Sequence, residues 1–269
     1  MTKITAPAST LESPLQRFSL DNKVAIVTGA GGRGNSIGRA YAYALAAVGA
    51  KVAVADINFD GAQSVAQEIN HAGFEAMAVK ANITDRTSVD AMTAEVANSF
   101  GGIDILVNNA ALMAEISYTP ASQVSENEWN RIINVNLTGA LNCSQSAIPY
   151  LLKRGGGKIV NQTSAGAFPA NSVYGISKLA LVGLTTTLAT ELGKSGINVN
   201  AIAPGNTQSD AGKASSPDSF LQFLDMVCVM RPQGEPSDLT GALLLLCSAA
   251  GDWITGQVLH VDGGWILRP

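Results

Sequence analysis

The stretch V-A-I-V-T-G-A-G-G-R-G-N-S-I-G-R-A, residues 24–40, decides the fold of this 269-residue chain. Its four leading apolar residues read as a strand covered on both faces, as a parallel sheet under two layers of helices requires. The glycines that follow mark a tight turn, and a helix begins near Ser36. A strand, a glycine-rich turn and a helix in that order let the backbone approach a pyrophosphate, whose charge the unpaired N–H groups of the helix start favour. Gly29, Ser36 and Ile37 are the turn residues placed for that contact. A glycine-rich turn alone is weak support, so the rest of the chain has to carry the reading.

Short β-rich runs alternate with longer helical patterns, the signature of βαβ units. The strands are expected at 24–28, 51–55, 75–79, 103–107, 158–162, 198–203 and 258–261, and the helices near 37–48, 61–72, 87–100, 126–152, 172–194 and 236–248. The implied fold is α/β, a single Rossmann-type domain over residues 23–269 with a doubly wound, seven-stranded parallel sheet. The first 22 residues carry prolines and acids and are expected to form a mobile or surface-lying arm. One long irregular segment, near residues 206–235, is expected to be a lid. Its Phe220, Leu221, Phe223, Leu224, Met226 and Val227 recur at helical spacing, which suits packing on the domain as well as covering a substrate.

Asp56 stands at the end of the second strand, eighteen residues after Gly38. A carboxylate there accepts hydrogen bonds from both ribose hydroxyls of a dinucleotide and repels a 2′-phosphate; the competing reading is a cap for the next helix. No Lys or Arg follows it in I-N-F-D, which favours NAD over NADP.

Tyr174 and Lys178 stand four residues apart, with Ser164 ten residues before the tyrosine. Positions i and i+4 share a helix face, so the ammonium lies beside the phenol. A phenol ionises near pH ~10 when unperturbed, and an adjacent cation favours phenolate, which makes it a usable proton carrier. Ser164 would polarise the same substrate oxygen. Such a pair alone also serves packing and solubility; its company with the glycine turn, Asp56 and N-N-A-A after the fourth strand makes the catalytic reading the stronger one.

A formal charge of −4 without a Lys/Arg run argues against nucleic acid or an anionic membrane as partner. No apolar run approaches ~20 residues and the first 22 residues lack the apolar core of a secretion signal, so a cytoplasmic protein is expected. Cys143, Cys228 and Cys247 are expected as buried thiols, and His71 and His260 show no ligand spacing, so no metal is expected.

These ordered motifs resemble the classical short-chain dehydrogenases/reductases from about Asp21 to the C-terminus. T-G-A-G-G-R-G-N-S-I-G, N-I-T-D, N-N-A-A at 108–111, N-V-N at 134–136, Ser164, Y-G-I-S-K at 174–178 and N-A-I-A-P-G-N-T at 200–207 carry the likeness. The resemblance implies that Asn136 joins Ser164, Tyr174 and Lys178, holding a water that links Lys178 to solvent. It implies Asn109 and Ala110 along the cofactor cleft, with Tyr174, Lys178, Pro204, Gly205 and Thr207 beside the nicotinamide. Ile57 follows Asp56, and Asn82 with Ile83 lies on the adenine side. Asn82 replaces the usual aspartate, its amide oxygen offering to accept the adenine amino proton. The glycine turn is three residues longer than T-G-x-x-x-G-I-G, with Ser36 in place of the second glycine, and is similar to the turn of enoyl reductases in the same superfamily. Those enzymes use a tyrosine seven residues before the lysine, where this chain has Asn171, so carbonyl chemistry is favoured. The interval from Ser164 to Tyr174 is three residues shorter than usual.

The expected reaction is NAD-dependent interconversion of a secondary alcohol and a ketone. The expected substrate contacts are Met113, Ser164, Phe168, Asn171, Tyr174, Phe220 and Phe223, with Leu112, Glu115 and Ala165 nearby. This mostly apolar set points to a hydrophobic, cyclic substrate. The alternatives are reduction of a 3-oxoacyl thioester with NADPH and, more distantly, a non-catalytic dinucleotide-binding regulator. Family analogy implies a homodimer or homotetramer paired through the two long helices, with the C-terminal W-I-L-R-P buried between subunits.

Overall fold

Each apolar run becomes a parallel strand: β1 (Val24–Thr28), β2 (Lys51–Asp56), β3 (Ala76–Lys80), β4 (Ile105–Asn108), β5 (Gly157–Gln162), β6 (Ile197–Pro204) and β7 (Val258–Val261). The computed structural model describes residues 13–32, 34–113, 119–169, 171–231 and 233–267. All seven strands form one sheet in the order β3-β2-β1-β4-β5-β6-β7. β1 pairs with β2 on one side and with β4 on the other, so the chain reverses direction across the sheet at β1/β4. A doubly wound sheet opens a crevice at the carboxyl ends of the strands at this switch point.

Two apolar layers sandwich the sheet. On one face Ala25, Val27, Val54, Val107, Val160 and Ile202 pack with α1 (Ile37–Ala47), α2 (Phe59–His71) and α9 (Thr240–Cys247). On the other, Val24, Ile26, Leu106, Ile159 and Val199 pack with α3 (Arg86–Phe100), α5 (Gly139–Lys153) and α6 (Val173–Leu192). Side-chain oxygens start the helices. Ser36, Asn58, Asp85 and Ser172 each accept a first-turn backbone N–H, and each such cap stabilises its helix by about 1 kcal/mol.

The helix expected over 126–152 is interrupted. It runs as α4 (Glu126–Ile133), a π-helical turn (Asn134–Thr138) and α5, which carries Pro149. The segment expected to be irregular holds two short helices, α7 (Asp210–Ser215) and α8 (Asp218–Val227). Ser209 caps the first and Pro217 precedes the second, and the helical spacing of Phe220 to Val227 is that of α8.

Of the N-terminal arm, residues 1–12 lie outside the described residues. The remainder follows the surface, with Arg17 donating to the Ala249 carbonyl at 2.5 Å. Leu20 is buried in the first apolar layer and its N–H bonds the Val48 carbonyl, so packing begins before residue 23. By length and composition Val173–Ser195 is apolar enough to cross a membrane. Here that stretch covers the sheet, with Leu181 and Leu188 buried. Cys143 and Cys247 are buried, and burial pushes both thiols up to about 12. Cys228 departs from the expectation: it is half-buried, because it follows α8 at the surface.

Candidate active site

Ser172 caps α6 by accepting the Gly175 N–H at 3.0 Å, which sets Tyr174 in the first turn and Lys178 one turn later on the same face. Lys178 is 1% exposed. Its Nζ donates to the Gln162 carbonyl at 2.8 Å and lies 5.8 Å from the centroid of the Tyr174 ring. Thr163 Oγ1 donates to the Lys178 carbonyl at 2.7 Å, clamping the helix to the end of β5. Desolvation brings the Lys178 ammonium down to about 7. Ser164 follows β5 in extended backbone and is half-buried, its Oγ accepting the Gly166 N–H at 3.1 Å. A hydroxyl oxygen that accepts in this way keeps its own O–H to donate.

Asn136 sits in the π-helical turn and is buried. Its Oδ1 accepts the Leu112 N–H at 2.8 Å, and its Nδ2 donates to the Leu112 carbonyl at 3.2 Å and to Ser177 Oγ at 3.0 Å. Ser177 in turn donates to the Tyr174 carbonyl at 2.7 Å. Asn136 therefore ties the loop after β4 to the helix carrying Tyr174. Ser177 is a residue that sequence reading missed. A hydroxyl beside Lys178, on the buried face of its helix, was the available signal.

The cofactor-side residues gather around the switch point. Gly29 has φ +66°, and a Cβ there would stand 2.5 Å from Ala110 Cα; one on Gly38 would meet the Gly29 carbonyl at 2.5 Å. Asn109 Nδ2 donates to the Thr28 and Gly29 carbonyls at 2.9 and 3.0 Å, so Asn109 and Ala110 lie against the glycine turn. Asp56 has a structural duty: its oxygens accept the Gly31 N–H at 2.8 Å and the Asn58 N–H at 2.9 Å. Two of its roughly four lone-pair sites remain for a ligand. Ile57 is largely exposed.

Two expectations on the adenine side change. Asn82 Oδ1 accepts both the N–H and the O–H of Thr84, at 3.1 and 2.8 Å, so its amide NH2, rather than its oxygen, is the group left to meet a base. Ile83 gives its side chain to the core; a Cβ on Gly139 would stand 2.5 Å from its Cδ1, so any cofactor contact there falls to its backbone. Ser36 accepts the Arg39 N–H as the cap of α1, and Ile37 opens that helix. The added turn residues reach the segment 206–235. The Asn35 carbonyl accepts the Asp210 N–H at 3.0 Å, and its Nδ2 donates to the Gln208 carbonyl and Glu235 Oε2, both at 3.2 Å. Arg33 lies outside the described residues.

Pro204 ends β6, Gly205 donates its N–H to the Val261 carbonyl at 3.0 Å, and Thr207 pairs with Gly234. Thr207 Oγ1 donates to Ser209 Oγ at 3.2 Å, which brings the buried Ser209 into the cleft region unforeseen. Sequence reading also missed two buried polar atoms without a protein partner, Gln162 Oε1 and Asn206 Nδ2, an acceptor at the end of β5 and a donor just beyond β6.

On the substrate side, Met113 is half-buried beside the undescribed residues 114–118, which include Glu115. Phe168 packs on His260 with centroids 4.6 Å apart, Ala165 is fully buried and Asn171 is exposed. Phe220 and Phe223 stack on α8 at 6.3 Å, with Phe223 43% exposed. Trp265, not anticipated here, meets Phe220 edge-on at 5.8 Å.

Residues 32–266 match the family described as enoyl-(acyl carrier protein) reductase. An uncharacterised oxidoreductase of Mycobacterium tuberculosis (strain H37Rv) is 42% identical over 248 residues, covering 92% of this chain and 99% of that protein. A 3-oxoacyl-[acyl-carrier-protein] reductase of Staphylococcus epidermidis is 40% identical over 253 residues, covering 91% of this chain and 100% of the relative. A 7α-hydroxysteroid dehydrogenase complexed with NADH and 7-oxo glycochenodeoxycholic acid superposes with a TM-score of 0.87 at 35% identity, over 94% of this chain and 98% of that one. A gluconate 5-dehydrogenase from Burkholderia cenocepacia, in complex with NADP and tartrate, gives 0.87 at 32% identity, over 94% and 98%. With a parallel sheet of this order and likeness along nearly its whole length, the chain belongs to the classical short-chain dehydrogenase/reductase family and is an oxidoreductase.

Proposed function

We propose that the protein interconverts a hydrophobic secondary alcohol and its ketone with NAD, using Tyr174 as acid and base. The observation that carries this reading is the Lys178 ammonium, buried and beside the Tyr174 ring at the end of the strand that leads to Ser164. The residues present fit a nicotinamide dinucleotide. The orphan acceptor of Gln162 and the orphan donor of Asn206 suit a carboxamide, Asp56 retains lone pairs for ribose hydroxyls, and the glycine turn opens α1 at its positive end. Gly29, Ser36, Ile37, Asn109, Ala110, Pro204, Gly205 and Thr207 would hold the cofactor, which when bound accepts or returns the hydride.

Tyr174 as phenolate takes the proton of the substrate hydroxyl during oxidation and returns it during reduction. Lys178 holds the phenolate electrostatically. An amine brought down to about 7 by burial gains and loses a proton readily near neutral pH, which suits a proton relay beside the Tyr174 ring. Ser164 donates to the same substrate oxygen, where a placed donor is worth roughly 3 kcal/mol in the transition state. Asn136 fixes the loop after β4 against α6.

Asp56 supports NAD over NADP through repulsion of a 2′-phosphate. The domain is read as one catalytic unit, residues 23–269, with a lid near 206–235. The exposed Asn171, where an enoyl reductase has a tyrosine, supports carbonyl over double-bond chemistry. A second reading, reduction of a 3-oxoacyl thioester with NADPH, draws on the 40% identical Staphylococcus reductase.

Tyr174→Phe tests the assignment. NAD binding, followed by calorimetry, is expected to stay within about twofold while turnover falls by at least ~10³-fold, the range of a lost general acid–base. Retained turnover would sink it.

A further inference from the structure

We propose that Trp265 is a specificity-determining residue: with Phe220 it forms an aromatic wall beside Ser164 that selects substrates whose carbinol carbon belongs to a ring system. This deepens the reading above and rests on it.

The indole is held by a built turn. After β7, the Asp262 carboxylate accepts the Gly264 and Ile266 N–H groups, each at 3.0 Å, and the Asp262 carbonyl accepts the Trp265 N–H at 3.2 Å. Gly263 and Gly264 have φ of 65° and 78°, where a side chain would be strained. Met230 donates its N–H to the Gly263 carbonyl at 2.8 Å, and a Cβ on Gly264 would stand 2.9 Å from Val229 Cβ. The C-terminal turn is thereby laced to the segment that follows α8.

From that position the ring reaches two functional elements at once. Its Cη2 lies 3.9 Å from where a Cβ on Gly166 would stand, and Gly166 is the residue whose N–H bonds Ser164 Oγ. Its ring meets Phe220 of α8 at 71° with centroids 5.8 Å apart. The wall therefore borders the hydroxyl that receives the substrate oxygen. Trp265 and Phe220 are both half-buried, so each keeps open surface for a ligand. Among the described residues, Asp262 is spent on backbone N–H groups and on His260, and Arg231 on Asp238. A flat apolar wall favours offset contact with rings.

The test uses the full chain. Binding of a bicyclic ketone, decalone, is measured by calorimetry, and kcat/KM with NAD is measured for decalol and for acyclic 2-butanol. In Trp265→Ala, decalone binding and decalol kcat/KM are expected to fall about tenfold, 2-butanol to stay within about twofold, and Trp265→Phe to recover most of the loss. If the alanine variant does not fold, Trp265→Leu keeps apolar volume and removes the aromatic plane. An equal fall for both alcohols, or unchanged decalone binding, overturns the proposal. Decalone bound by the wild type and lost in Trp265→Ala, without oxidation of any alcohol, overturns the reaction assignment and leaves the wall standing.

Discussion

Burying an ammonium costs several kcal/mol unless it is paired, and Lys178 has a neutral carbonyl at 2.8 Å. Its pKa of about 7 in the folded chain lies below the ~10.4 of an unfolded lysine. Below pH 7 the penalty is fully present. As pH rises from 7 toward ~10.4 the unfolded chain carries a proton that the folded chain lacks, and stability increases across that window. Lys178→Met is therefore expected to melt a few degrees above the wild type at pH 6.5, by less at pH 10, and to lose alcohol oxidation. Calorimetry at the two pH values checks this, and a gap that does not shrink would contradict it. The Tyr174/Lys178 pair was legible because i,i+4 spacing is local. Ser177 and Asn136 act through a tertiary network, so spacing was silent about Ser177, and Asn136 was found only through family resemblance.

At the scale of elements, the π-helical turn Asn134–Thr138 sets the geometry of the site. A single-turn widening of a helix re-aims one side chain, and here it turns Asn136 toward Leu112 and Ser177. Asn136→Ala leaves the Leu112 N–H and carbonyl without their partner, a cost of about 1–3 kcal/mol. Urea unfolding is expected to show that loss, with kcat/KM falling at least about tenfold as the loop after β4 loosens; an unchanged midpoint would refute it. The strands were readable because buried parallel strands are short apolar runs. The π turn was not, since a continuous helical pattern hides one inserted residue. The lengthened glycine turn was read for its phosphate contacts, yet Asn35 spends its carbonyl and amide on Asp210, Gln208 and Glu235. That contact is between segments some two hundred residues apart, invisible to a local reading.

Across the whole molecule, the reversal of strand order at β1/β4 brings the glycine turn, Asp56 and Asn109 to one crevice, while β5 and α6 supply Ser164, Tyr174 and Lys178 at its far end. The two long helical stretches leave Trp129, Leu152 and Leu179 exposed on α4, α5 and α6. Exposed apolar side chains on such helices suit pairing with a second copy. Light scattering is expected to report a dimer or tetramer, and a stable monomer would contradict that. The proposed reaction joins Asp56, as the proposed selector of the cofactor, to Tyr174, as the proposed acid and base. Initial rates of NADH or NADPH formation across cyclic and acyclic secondary alcohols and 3-hydroxyacyl thioesters, each with NAD and with NADP, test both together. Turnover of cyclic alcohols with NAD, well above that with NADP, is the expected result; turnover confined to NADP and thioesters would contradict it.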